Sequence, residues 1–140
     1  MAKQKSYILE IHSPGRGLYD FTGKVRAFAA ESGMRDGLLT VFCRHTSASL
    51  VIQENADPDV LHDLETFMNR LVPDGQPDWR HRSEGPDDMS AHIRSALTQT
   101  SIGIPLVDGA LVLGTWQGIF LWEHRTGPHR RKVQLHLLGQ

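Results

Sequence analysis

Ile102-Gly103-Ile104-Pro105-Leu106-Val107-Asp108-Gly109-Ala110-Leu111-Val112-Leu113-Gly114 is a β-hairpin in sequence form. Ile102–Val107 reads as one strand and Ala110–Gly114 as the next. Asp108-Gly109 supplies the two residues that tolerate the positive φ a tight hairpin turn demands. The pattern continues C-terminally. Thr115–Arg125 reads as a long strand, Thr126-Gly127-Pro128 as a turn, and Arg130–Leu138 as a closing strand on which Val133, Leu135 and Leu137 alternate. The last third is therefore expected to be antiparallel sheet.

Toward the N-terminus, Ser6–His12 reads as a strand broken by Pro14-Gly15-Arg16-Gly17. Asp20 or Thr22 can cap a helix that carries Val25, Phe28 and Ala29 at helical spacing, runs to about Glu31 and stops at Gly33. Gly37–Arg44 and Ser49–Glu54 read as strands around the polar turn His45-Thr46-Ser47-Ala48. Asp57-Pro58 is a strong helix start, followed by the apolar stripe Val60, Leu61, Leu64, Phe67, Met68 and Leu71. Pro73–Pro86 reads as a loop. A third helix is expected from Asp87 or Asp88 to about Thr98, with Met89, Ile93 and Leu97 spaced four apart. Strands at both ends and helices in the middle imply a single α+β domain over residues 1–140, an antiparallel sheet with helices packed on one side.

The 140 residues suit one domain, and a chain of this size buries about 68% of the surface its unfolded form exposes. Fifteen basic and sixteen acidic residues leave a net charge of −1. That excludes the strongly basic footprint of a dedicated nucleic-acid binder. No window is long and apolar enough to span a membrane, and the polar Met1–Lys5 does not read as a signal peptide. The single Cys43 has no internal disulfide partner, which fits a reducing, cytoplasmic setting. The basic residues are mostly Arg, the better fork for phosphate and carboxylate, and there are eight histidines.

Several groups carry chemistry. By strand parity His45 follows Leu39, Val41 and Cys43; Glu54 follows Leu50 and Ile52; Glu123 follows Ile119 and Leu121. In regular strands each points to the side of the apolar residues before it, so the three could meet in one pocket. The alternative is that each row simply emerges into solvent where the sheet ends. Between His81 and His92 lie Glu84, Asp87 and Asp88. The two imidazoles suit an open zinc site whose third ligand comes from elsewhere, with His45 the natural candidate and the acids orienting the rings. The alternative is a solvated loop whose aspartates serve a helix dipole. Thr115, Trp116 and Gln117, flanked by Gly114 and Gly118, could hydrogen-bond and stack on a substrate, or could pack within the sheet. His12, His62, His129 and His136 read as ordinary surface or turn residues. Thr46 and Ser47 sit beside an imidazole, but no Gly-x-Ser-x-Gly elbow surrounds a serine, which disfavours serine hydrolysis; Walker and Gly-x-Gly-x-x-Gly loops are also missing. Arg125, Arg130, Arg131 and Lys132 could bind phosphate or guard a sheet edge.

Taken together, His45-Thr46-Ser47-Ala48-Ser49-Leu50, Glu54-Asn55 with Asp57-Pro58, His81 with Glu84-Gly85 and Asp87-Asp88-Met89, His92-Ile93, and Gly114-Thr115-Trp116-Gln117-Gly118-Ile119 with Glu123-His124-Arg125 resemble the YjbQ-like family, often called the secondary thiamine-phosphate synthase family. The segments run in family order over nearly the whole chain. The resemblance implies an α+β domain that forms homotrimers, with a site near a subunit interface. It implies a divalent metal, most often zinc, on His45, His81 and His92. It implies a secondary thiamine-phosphate synthase activity that joins a pyrimidine methyl diphosphate to a thiazole phosphate. On that chemistry Glu54, Glu84, Glu123 and Arg125 are the candidate catalytic residues, and Thr46, Ser47, Asn55, Thr115, Trp116 and Gln117 the candidate contacts to a small phosphorylated heterocycle. A metal-dependent hydrolase of a small phosphorylated or ring substrate is the alternative activity. A non-enzymatic metal-binding or ligand-binding trimer is the alternative without one.

Overall fold

The structure is a computed structural model describing all 140 residues. Its elements in chain order are β1 (Lys3–Ser13), β2 (Gly17–Asp20), α1 (Thr22–Glu31), β3 (Gly37–Cys43), β4 (Ala48–Glu54), α2 (Pro58–Leu71), α3 (Asp88–Leu97), β5 (Ser101–Val107), β6 (Ala110–Leu111), β7 (Gln117–Glu123) and β8 (His129–Gly139). The expected α+β class and antiparallel pairing hold, and the strands divide between two sheets. One is five-stranded, in the order β1-β8-β3-β5-β6; the other is three-stranded, in the order β2-β7-β4.

Alternation explains why the sheets stack. Leu9 and Ile11 of β1, Leu39, Val41 and Cys43 of β3, Ile102, Ile104 and Leu106 of β5, and Val133, Leu135 and Leu137 of β8 are buried on one face of the large sheet. They meet Leu50 of β4 and Ile119 and Leu121 of β7, with Val25, Phe28 and Ala29 of α1 completing the same core. β1 and β8 pair along their whole length, from Lys3 opposite Gly139 to Ser13 opposite His129. The Asp108-Gly109 turn has φ of 55° and 82°, as the hairpin pattern requires. Asp20 Oδ1 accepts from the Thr22 backbone at 2.9 Å at the start of α1, and Asp57 accepts from Asp59 N at 2.9 Å at the start of α2.

Helices α2 and α3 cover the outer face of the small sheet through Met68, Val72 and Trp122, with Leu64, Trp79 and Ile93 packed around them. Two expected stripes are buried only in part. On α2 Met68 is buried, but Phe67 and Leu71 are 62% and 55% exposed. On α3 the buried positions are Asp88, Ser90, Ala91, Arg94 and Ser95, while Leu97 faces outward. Small side chains let α3 approach β4 closely enough for Ser95 Oγ to donate to the Ala48 carbonyl at 3.1 Å. The Thr115–Arg125 strand begins only at Gln117, because Gln117 N donates to Gly114 O at 3.1 Å and turns the chain there. The strand expected over Ala110–Gly114 is confined to Ala110–Leu111. No helix is long and apolar enough to cross a membrane.

Candidate metal centre

Asp87 precedes α3 and Asp88 opens it, so Asp88 and His92 lie one turn apart on the same helix face. The preceding loop returns His81 to that face. Gly75 N donates to Pro86 O at 2.9 Å, and the Arg82 guanidinium donates to the Trp79 and Pro77 carbonyls, which fixes the loop around His81. Asp88 Oδ2 lies 2.6 Å from His81 Nε2 and 3.1 Å from His92 Nε2, and Glu84 Oε2 lies 3.4 Å from His81 Nε2. One atom each from His81, Glu84, Asp88 and His92 falls within 4.8 Å of the others. Ligands about 2.1 Å from a tetrahedral zinc are about 3.4 Å apart; the 3.1 and 3.4 Å spacings are close to this, while the 2.6 Å His81–Asp88 contact is a hydrogen-bond distance that must open for the two to share one cation.

The donor set fits a metal on a second ground. His92 Nδ1 donates to the Thr46 carbonyl at 2.9 Å. That bond leaves the lone pair of a neutral ring on Nε2, which faces the buried Asp88 carboxylate. Two lone pairs at this separation need a positive centre between them, a proton or a metal ion. A hydrogen bond to Asp88 raises the His81 pKa, against the opposing effect of desolvation.

Arg125 organises the acids. Its Nη1 lies 2.7 Å from Asp88 Oδ1, its Nε donates to Asp87 Oδ2 at 3.0 Å and its Nη2 to the Glu84 carbonyl at 3.0 Å. Burial alone would raise the Asp87 pKa; Arg125 and the Thr126 backbone and hydroxyl outweigh it and hold that carboxyl well below the usual range. Asp88 is depressed too, its burial outweighed by the bond from His81 and by the charge of Arg125. Arg125, expected to be catalytic, thus grips the carboxylate that faces both imidazoles.

The other expected site residues separate into two places. His45 lies outside the metal group: its Nε2 accepts from Lys132 N at 2.8 Å, so the lone pair a metal would need is taken. Burial first, and then the Arg131 charge, lower its pKa. Glu123 is fully buried, and its two oxygens accept from Ser13 Oγ (2.5 Å), Arg131 Nε (2.7 Å), Arg131 Nη2 (2.5 Å) and Arg125 N (3.1 Å). Ser47 Oγ accepts from the same arginine at 3.0 Å. Glu54 does not converge with them. Ala48 pairs with Glu123 and Glu54 with Gln117, so Glu54 stands six strand residues, roughly 20 Å, from Glu123. There Glu54 accepts from Asp57 N at 2.9 Å, and Asn55 N donates to Trp116 O at 3.0 Å. Thr115, Trp116 and Gln117 share that far end, where Trp116 is 62% exposed. Strand parity misled because β4 and β7 run in opposite directions, which sends their terminal acids to opposite ends.

Asp88 was expected only to orient the imidazoles and not as a ligand, and Thr46 only as a substrate contact and not as the backbone acceptor for His92. The four-residue spacing of Asp88 and His92 on an expected helix was the signal for the first; the second is a tertiary contact with no local signature.

A two-sheet α+β domain with an aspartate buried between two histidines defines a class of candidate metal-binding domains. A family model described as UPF0047 protein YjbQ-like matches residues 7–140. A UPF0047 protein of Synechocystis is 57% identical over 138 residues, covering 99% of this chain and 94% of the relative. YjbQ of Escherichia coli O157:H7 is 40% identical over 133 residues, covering 94% and 96%. Among solved structures, a YjbQ/UPF0047 protein of Clostridium acetobutylicum is similar at a TM-score of 0.83 and 39% identity, covering 95% of this chain and 98% of that one. A YbjQ-like protein of unknown function from Sulfolobus solfataricus is similar at 0.85 and 26%, covering 99% and 100%. The chain belongs to the UPF0047/YjbQ-like family.

Proposed function

We propose that this protein is a metal-dependent enzyme that joins a pyrimidine methyl diphosphate to a thiazole phosphate, a thiamine-phosphate synthase-like transfer. The observation that carries the metal is the Asp88 oxygen shared by the two imidazoles, one of them locked in its tautomer by Thr46 O. In this reading His81, His92 and Asp88 hold a divalent ion, zinc by the donor set, with Glu84 beside them. Such an ion supplies Lewis acidity for a departing anion. The C–O bond to diphosphate breaks, the new C–N bond forms to the thiazole nitrogen, and diphosphate leaves. Arg125 positions Asp88. A cavity of about 280 Å3 opens beside His81, lined by Gln76, Trp79 and Arg82, and suits a single small ring. Arg131 and Glu123 brace the adjoining strands.

A hydrolase is the second reading, and Glu84 favours it. Its carboxylate is 62% exposed beside His81 and can take a proton from water. The protein, zinc-loaded, should be given both substrates together and each alone. Coupled product that a chelator abolishes supports the synthase; phosphate or diphosphate released from one substrate alone supports the hydrolase. No turnover overturns both and leaves a binding protein.

We further propose a cytoplasmic homotrimer. The supports are the free, buried Cys43 and the apolar residues Ile8, Leu38, Phe42 and Leu138, 44–52% exposed on the outer face of the large sheet.

A further inference from the structure

Glu123 is closed to a substrate. It is fully buried, and its two oxygens are taken by Ser13 Oγ, by Arg131 Nε and Nη2 and by the Arg125 backbone N–H. Its partner Arg131 is 4% exposed. Burial alone would raise the Glu123 pKa; the bonds from Arg131, Ser13 and the Arg125 backbone outweigh it and keep the carboxylate charged. Burying two charges costs so much desolvation that such a pair adds little stability over apolar side chains of similar volume. Stability alone does not account for this one.

Two chains of contact lead from the pair to the metal group. The first runs through Arg131. Residues 44–47 join β3 to β4 without regular structure, so no strand or helix sets the direction of their carbonyls. Arg131 Nη2 donates to Ser47 O at 3.2 Å and to Ser47 Oγ at 3.0 Å, and His124 N donates to Ser47 O at 3.3 Å. The carbonyl just before, Thr46 O, accepts from His92 Nδ1 at 2.9 Å. The second chain runs through Glu123. Arg125 lies beyond the end of β7, where strand pairing has stopped. Glu123 Oε2 accepts from Arg125 N at 3.1 Å and so fixes the main chain there. From that point the Arg125 guanidinium reaches Asp88 Oδ1 at 2.7 Å and Asp87 Oδ2 at 3.0 Å. One chain ends on an imidazole and the other on the carboxylate that faces it.

We infer that Arg131 and Glu123 are positioning residues of the metal centre: their buried pair sets the Thr46 carbonyl that orients His92 and the Arg125 main chain that presents a guanidinium to Asp88. Neither residue touches the ion. The inference rests on the reading that His81, Asp88 and His92 hold a divalent metal, and adds to it a pair of residues that no ligand list would contain.

Cobalt(II) titration of the metal-free protein tests this, followed by the visible d–d absorption and by competition with a chromogenic chelator. Wild type should bind the ion, and His81→Ala with His92→Ala should not; cobalt that fails to bind wild type, or that still binds this variant, overturns the metal reading and the inference with it. In Arg131→Met with Glu123→Leu, apolar side chains replace the whole pair, so neither charge is left buried alone. Cobalt affinity should then fall at least tenfold and the d–d band should shift, while the metal-free Tm and circular dichroism stay close to wild type. Wild-type affinity with an unchanged band overturns the inference and leaves the metal reading standing. So does an affinity loss that comes with an equal collapse of the metal-free Tm, which would make the pair structural only. Should the double variant not fold, Ser47→Ala decides: it removes a single contact from a half-buried turn, and unchanged affinity and band there overturn the inference, whereas a few-fold loss with an unchanged metal-free Tm supports it.

Discussion

Asp88 bears two loads at once, one oxygen toward Arg125 and the other toward both imidazoles. Asp88→Asn should lower zinc affinity at least tenfold, read by competition with a chromogenic chelator, because the amide keeps the shape and loses the charge. Arg125→Lys should lower it about 10- to 100-fold with unchanged circular dichroism, since a lysine cannot hold Asp87 and Asp88 together. His124 gives a pH prediction. Burial, then Arg94, lowers its pKa from the usual 6.5 to about 3. The unfolded chain therefore binds one more proton between those values, and stability contributed by the neutral ring falls as pH drops from about 6.5 toward 3. Urea midpoints measured with a chelator and fixed chloride should fall less steeply over pH 6.5–4.5 in His124→Gln than in wild type; parallel curves would remove that ring from the acid response. At this scale the sequence revealed the pair of histidines, since imidazoles near carboxylates are conspicuous. It could not show that the His45 ring, read as a third ligand, is claimed by a backbone N–H 87 positions away.

Among the elements, β3 and β8 were legible because one face of each is continuously apolar and the other is not. β2 was not: four residues without alternation become a strand only by pairing with β7. The buried face of α3 defied the apolar pattern because close approach to β4 demanded Ser and Ala, and burial of Arg94 demanded the cap of α2. Two glycines show how tightly the large sheet closes. A methyl on Gly37 would strike the Leu138 carbonyl, and one on Gly139 the Asp36 carbonyl. Gly37→Ala should cost about 1–3 kcal/mol in urea unfolding, since backbone rather than a movable side chain is in the way. A neutral outcome would mean that the β3 and β8 backbones can move apart at this point.

For the molecule as a whole, the two ends of the small sheet hold different chemistry: the metal group at one, Glu54, Asn55 and Trp116 at the other. The α+β class was readable because strand and helix periods segregate along the chain; the split into two sheets was not, because pairing partners are far apart in sequence. The outer face of the large sheet predicts assembly. If the proposed trimer forms through this face, Leu38→Asp with Phe42→Asp should leave a folded monomer in light scattering; a trimer mass kept by the variant would exclude this face as the interface. Whether His81, Asp88 and His92 share a cation is decided by diffraction at the zinc edge from metal-loaded crystals. One ion per chain about 2.0–2.2 Å from His81 Nε2, His92 Nε2 and Asp88 Oδ2 is the result predicted; a site empty after loading, or zinc bound only by other residues, would contradict it.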